Sequence, residues 1–163
     1  MGKARDIREL LKAHACPMQP GYEQLNATME KVDACVRSNR NEPCLCHNDF
    51  YAPNFLVSGN DMYLIDWEYS TMSDHASDPR MFVCCSDYTH EEACRVFDEY
   101  FGRQTMPEEL RHCLAYVALA SYYWFVWTLC KESSGDPVGE WLYLWYRYAK
   151  QYSALALERY GKA

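Results

Sequence analysis

From Cys113 to Cys130 the chain runs eighteen residues without Asp, Glu, Lys or Arg. A run of that length has two natural places: the hydrocarbon core of a bilayer, which takes an apolar helix of about 20 residues, or the centre of a folded domain. Ring positions separate the two. Spanning helices gather Trp and Tyr at their two ends, whereas Tyr122, Tyr123, Trp124 and Trp127 sit in the middle and later part of this run. Ser121 and Thr128 add polarity. The segment therefore reads as a buried core helix, and no membrane span is expected.

The rest of the composition agrees with a packed domain. With 163 residues, 49% of them apolar, the chain suffices for a single domain, 1–163, with its own core. Its 14 Tyr and 5 Trp are those of a globular protein rather than a disordered one. A net charge of −7 repels phosphate backbones, which argues against nucleic acid as a partner and suits a cationic or neutral ligand. Nine cysteines are many. Cys44-Leu45-Cys46-His47 resembles half of a metal site, but no second cluster follows to supply four ligands. These cysteines read as reduced, mostly buried small apolar residues of a cytosolic protein. Lys3, Arg5, Asp6, Arg8 and Glu9 interrupt the start, so no signal peptide is expected and the localisation expected is cytoplasmic.

Periodicity and punctuation place the elements. Ile7, Leu10 and Leu11 predict a short helix over 4–14, and Leu25, Met29, Val32 and Val36 a second over 21–38. A short strand is expected at 44–46. Phe55-Leu56-Val57 and Tyr63-Leu64-Ile65 flank Ser58-Gly59-Asn60-Asp61, a hairpin signal. After Asp66 the pattern turns helical: 77–86, then 89–101 with Thr89 and Glu92 as a capping box and Gly102 as its stop. Pro107 opens a long helix to about 131, and a last helix runs from about 138 to 159. The fold class expected is mainly α with a small β-hairpin insert.

The chemistry concentrates in one loop. Cys46-His47-Asn48-Asp49-Phe50-Tyr51-Ala52-Pro53-Asn54 holds H-x-D-x-x-x-x-N, and twelve residues beyond Asn54 the stretch Leu64-Ile65-Asp66-Trp67-Glu68 ends a predicted strand with an acid. Phosphoryl transfer asks a protein for positioning and charge neutralisation more than for covalent chemistry. A carboxylate must accept the hydroxyl proton, and Asp49 is placed for it. Magnesium takes oxygen ligands, with phosphates and waters completing its shell. Asn54 and Asp66 supply an amide oxygen and a carboxylate, and the hairpin between them returns the chain so that both converge. Singly, each has a plainer reading as a turn or cap residue; the ordered combination is what points to a site.

"LCHNDFYAPNFLV" followed by "YLIDWEYS" is similar to the catalytic and metal motifs of choline/ethanolamine kinases and, more loosely, of aminoglycoside phosphotransferases. The resemblance implies the helical C-terminal lobe of a protein-kinase-like fold, with ATP and Mg2+ as co-substrate and cofactor and choline or a related amino alcohol as acceptor. By it, Asp49 matches the catalytic base, Asn54 and Asp66 the metal ligands, and His47 a residue that supports the loop through hydrogen bonds. Glu68 matches an acid that follows the metal aspartate. Asp78 matches an aspartate that braces the loop, and equally reads as the N-cap of a helix beginning at Pro79.

Trp124 and Trp127, three apart on a predicted helix, share a face and resemble the tryptophans of the choline site. Quaternary ammonium groups are bound by ring faces, each contact contributing about 0.5–2 kcal/mol. Tyr148, with its neighbours Tyr146 and Tyr152, is a further wall of that site or plain core packing.

Seven scattered glycines make no phosphate-binding loop, and the residues before the catalytic loop read as helix. The expectation is a lobe whose N-lobe is absent, binding ATP weakly by itself and inactive or weak alone, with an exposed face that favours a homodimer. A non-catalytic cation-binding module, a truncated pseudo-kinase lobe, or a metal or redox protein built on the cysteines are the other readings.

Overall fold

The computed structural model describes Glu9 and residues 20–162; the helix expected over 4–14 lies, Glu9 apart, outside them. Gly21 adopts the left-handed region at φ 84° and opens helix α1 (Tyr22–Ser38), whose Leu25, Met29, Val32 and Val36 are buried along one stripe. Strand β1 (Cys44–Cys46) leads into the loop 47–54. Strands β2 (Phe55–Ser58) and β3 (Asp61–Leu64) form an antiparallel hairpin, with Phe55 opposite Leu64 and Ser58 opposite Asp61. Gly59 at φ 61° supplies the turn.

Past Asp66 the chain departs from the helical expectation. A single 3-10 turn (Trp67–Tyr69) is followed by strand β4 (Thr71–Ser73), which pairs antiparallel with β1 and sets Met72 opposite Leu45. Three residues carry no readable period, and their partner lies far upstream, so only the folded chain selects this pairing. The insert is thus two two-stranded sheets among the described residues.

Four helices complete the domain: α2 (Ser77–Cys84), α3 (His90–Phe101), α4 (Pro107–Ser133) and α5 (Trp141–Tyr160). Helix α4 is the spine. It packs most extensively against α5 and also against α1, α2 and α3. Leu114, Val117, Ala118, Phe125 and Val126 are fully buried, and they point to several sides of the helix. A helix apolar all round belongs inside a protein or a membrane. By length and composition α4 is apolar enough to cross a bilayer, but 67% of its most apolar window is buried against the rest of the chain. Polar bonds join the neighbours. Tyr122 Oη donates to Asn26 Oδ1 of α1 (2.8 Å) and Trp145 Nε1 to the Cys84 carbonyl at the end of α2 (3.1 Å).

The β segments carry an apolar surface. Leu45 and Met72, Leu56 and Tyr63, and Val57 and Met62 are opposed pairs with exposed side chains, Val57 reaching 73%.

Candidate active site

The loop after β1 is held by its own hydrogen bonds. His47 is 1% exposed. Its Nε2 lies 2.7 Å from the Ile65 carbonyl, which can only accept, so Nε2 carries the proton. Nδ1 is then a lone pair, and it accepts from the Asp49 N–H (3.3 Å). One neutral tautomer therefore ties the Asp49 backbone to Ile65, the residue before Asp66. Asn48 is left-handed at φ 64°, a region Asn tolerates better than most side chains. Its Nδ2 donates to the Tyr69 carbonyl (3.1 Å). The N–H groups of His47 and Asn48 donate to the two carboxylate oxygens of Asp78, at 3.1 and 2.7 Å. Asp78 sits inside the first turn of α2, whose N-cap is Ala76, so the N-cap reading of Asp78 does not hold.

Asp49 and Asn54 are brought into contact. Asn54 Nδ2 donates to the Asp49 carbonyl (2.9 Å) and to Asp49 Oδ2 (3.0 Å). That fixes the amide with its nitrogen toward Asp49 and leaves Oδ1 facing away from it. Beneath the loop Phe50 meets Phe55 edge-on at 4.7 Å, and both rings lie within 6.2 Å of Phe82 on α2. The Ile65 N–H donates to the Asn54 carbonyl (2.9 Å), so the hairpin closes with Asn54 level with Ile65, the residue before Asp66. Asp66 is itself left-handed at φ 64°. The exposed Tyr69 phenol is pushed above its ordinary range, first by the Glu68 carboxylate and further by Asp49 and Asp66. Glu68, Asp49 and Asp66 thus all act electrostatically on this one phenol, while among the described residues no three or more His, Cys, Asp or Glu side chains gather into a metal-binding group.

The aromatic residues form a second cluster. Trp124 and Trp127 meet edge-to-face with centroids 5.5 Å apart and planes at 85°. Trp124 also stacks on Trp145 of α5 (5.5 Å, 25°), which in turn lies against Trp141 (5.2 Å). Lys131 Nζ stands 5.4 Å from the Trp127 centroid and pairs with Asp136 at 2.9 Å. The cluster meets the end of α2, the helix whose Phe82 packs on Phe50 of the loop. Trp145 bonds the Cys84 carbonyl, and the Cys84 thiol is pushed up by its bond to Cys85, by burial and, less, by the Asp49 charge. Tyr148 does not join this cluster. It is 1% exposed and its hydroxyl donates to the Ser86 and Tyr88 carbonyls (2.7 and 2.8 Å), which makes it a strut between α5 and the loop after α2.

Residues 3–115, well over half the chain, match the model of the phosphotransferase enzyme family. The chain belongs to that family. The match contains the whole of loop 47–54 and stops short of the tryptophan cluster. Among relatives, protein LicA of Haemophilus influenzae is 26% identical over 102 residues, 59% of this chain and 38% of that protein. A choline/ethanolamine kinase family protein from Mesorhizobium loti superposes with a TM-score of 0.76 at 23% identity, over 97% of this chain and 53% of its own. Choline kinase LicA from Streptococcus pneumoniae gives 0.71 at 24%, over 94% and 54%. The phosphotransferase chain described here therefore has a choline-kinase-like fold and spans about half the length of these solved relatives.

Four residues escaped the sequence reading. Trp141 and Trp145, four apart on the last helix, carried a same-face signal that could have been read as Trp124 and Trp127 were. Tyr69 has two of its acids, Asp66 and Glu68, within three residues in sequence, and only the influence of Asp49 comes from the fold. Lys131, four beyond Trp127, carried the spacing but nothing to mark its ring contact. A groove of about 240 Å3 between α1 and α5, lined by Gly21, Thr28, Tyr146 and Lys150 among others, takes in Tyr146 but neither the loop residues nor the tryptophans.

Proposed function

We propose that this chain forms the catalytic part of an ATP- and Mg2+-dependent kinase that phosphorylates the hydroxyl of choline or a related amino alcohol. The observation that carries the reading is the Asp49–Asn54 pair. Asp49 Oδ2 is engaged by Asn54, which leaves Oδ1 to receive a proton, and the loop beneath is braced by Asp78 and His47. In the reaction the acceptor oxygen bonds to the γ-phosphorus, the bond to the bridging oxygen breaks, ADP departs and the hydroxyl proton passes to Asp49. Asn54 acts as a positioning residue, since it sets the angle of that carboxylate.

The donor set suits magnesium. Asn54 Oδ1 and the Asp66 carboxylate are hard oxygens, and this ion is commonly bound by one or two such groups with phosphates and waters. When bound, it neutralises charge on the transferring phosphate. Trp124 and Trp127 support a cationic acceptor, and their distance along the chain from the family match makes them the natural seat of substrate preference. That one solved relative is a choline kinase, and another a choline/ethanolamine kinase family protein, supports the same acceptor.

A phosphotransfer assay with MgATP and choline, ethanolamine or an aminoglycoside tests the reading. Asp49→Ala is expected to lower turnover about 10²–10⁴-fold with the fold intact by circular dichroism. Undiminished turnover removes Asp49 from the mechanism. Choline binding with no phosphotransfer under any condition favours a cation-binding module instead.

A further inference from the structure

We propose that Lys131 is a built-in competitor for the aromatic cation site, so that this one residue sets how tightly the site takes an external cation. The inference rests on the reading of Trp124 and Trp127 as that site. Two indoles offer four faces. The stacked Trp145 covers one face of Trp124, Tyr123 and Trp127 meet Trp124 in edge-to-face contacts, and the Lys131 ammonium stands over Trp127. An ammonium group held by ring faces gains with each face it meets, and the Trp127 face over which Lys131 stands is one it would have to share.

Of the occupants, only Lys131 can leave. Trp145 is 8% exposed and its indole N–H is committed to the Cys84 carbonyl. The Lys131 side chain is 41% exposed on a flexible stem, and its partner Asp136 is 64% exposed. The turn that carries Asp136 is pinned back on α4 by the Val138 N–H, which donates to Glu132 Oε1 (2.8 Å), so Asp136 holds the ammonium in place over the ring. An incoming cation must displace a like charge from the ring it needs. The plain alternative is a helix-end contact between residues four apart, with the lysine placed favourably near the C-terminus of α4 and indifferent to ligand.

Calorimetric titration with choline and with tetramethylammonium, which lacks the hydroxyl, separates them. For Lys131→Met, affinity for both cations is expected to rise about 3- to 10-fold. Lys131→Arg, which keeps a cation over Trp127, is expected to stay within twofold of the unaltered protein. If the unaltered protein binds choline and Lys131→Met binds it no better, the competitor role is wrong while the substrate reading stands. Equal tightening by Arg and Met also overturns it, because charge would not be the cause. If none of the three proteins binds either cation, the substrate reading itself fails and this inference falls with it.

Discussion

Asp78 does for the loop what no residue inside the loop can do. Its two oxygens meet two successive N–H groups, those of His47 and Asn48, and thereby hold the backbone through the left-handed residue before Asp49. Hydrogen bonds to a charged acceptor contribute about 1.5–3 kcal/mol each, and a part-buried donor left without a partner carries its full desolvation cost. Asp78→Ala is expected to lower unfolding stability by about 2–3 kcal/mol in a urea titration and to reduce phosphotransfer with it, and Asp78→Asn, which keeps one acceptor, to fall between. The cysteines illustrate the opposite kind of residue. Cys46 and Cys113 are buried, and burial pushes both thiols up to about 12, so they behave as small apolar side chains. The eight described cysteines carry free thiols.

Elements were legible where their signals are local. The start of α3 is an example: Thr89 Oγ1 accepts from the Glu92 N–H (3.2 Å), Glu92 Oε2 accepts from the Thr89 N–H (2.8 Å), and Gly102 closes the helix at φ 63°. Each of these bonds lies within four residues, so sequence alone can show them. Thr89→Ala is expected to lower stability by about 1 kcal/mol, seen as a fall of about 2–4 °C in the melting temperature. The long α4 was legible for another reason, its lack of charge. The pairing of β4 with β1 was not, since a strand of three residues is chosen by its partner. The faces that the tryptophans present were equally hidden: spacing told that Trp124 and Trp127 share a side of α4, while Trp145 and Lys131 decided how much of each ring is free.

At the scale of the molecule, one buried network ties the β region to the helices. Asp74, just past β4, accepts from His112 Nε2 of α4 (2.9 Å), from the Ala76 N–H (3.0 Å) and from Asn41. The side chains of the Asp74–His112 pair are 7% and 5% exposed. Burial alone would raise the Asp74 carboxyl, but the bond from His112 and the backbone donors outweigh it and hold it well below the ordinary carboxylate range. The folded-state value is thus depressed. The stability this contributes is present in full above the unfolded value of about 3.9 and is lost as pH falls from there toward the folded value. Unfolding stability measured from pH 7 down to pH 2 is expected to drop steeply below about pH 4. Asp74→Asn is expected to be less stable at pH 7 and to show a shallower acid limb; an unchanged limb would mean that other carboxylates govern it.

What the amino-acid order determined by itself was everything that short-range chemistry encodes: the helix stripes, the caps, the hairpin turn, the charge-free core helix and the ordered acids of one loop. Those features depend on neighbours within a few residues, or on the identity of the residues alone. Tertiary structure decided the rest. It selected Asp78 rather than a loop residue as the acceptor for His47 and Asn48, turned Tyr148 inward as a strut and stacked Trp145 of α5 on Trp124 of α4. Each of these is a choice among partners that only meet once the chain has closed, and hydrogen-bond direction and ring orientation have no expression in a linear pattern.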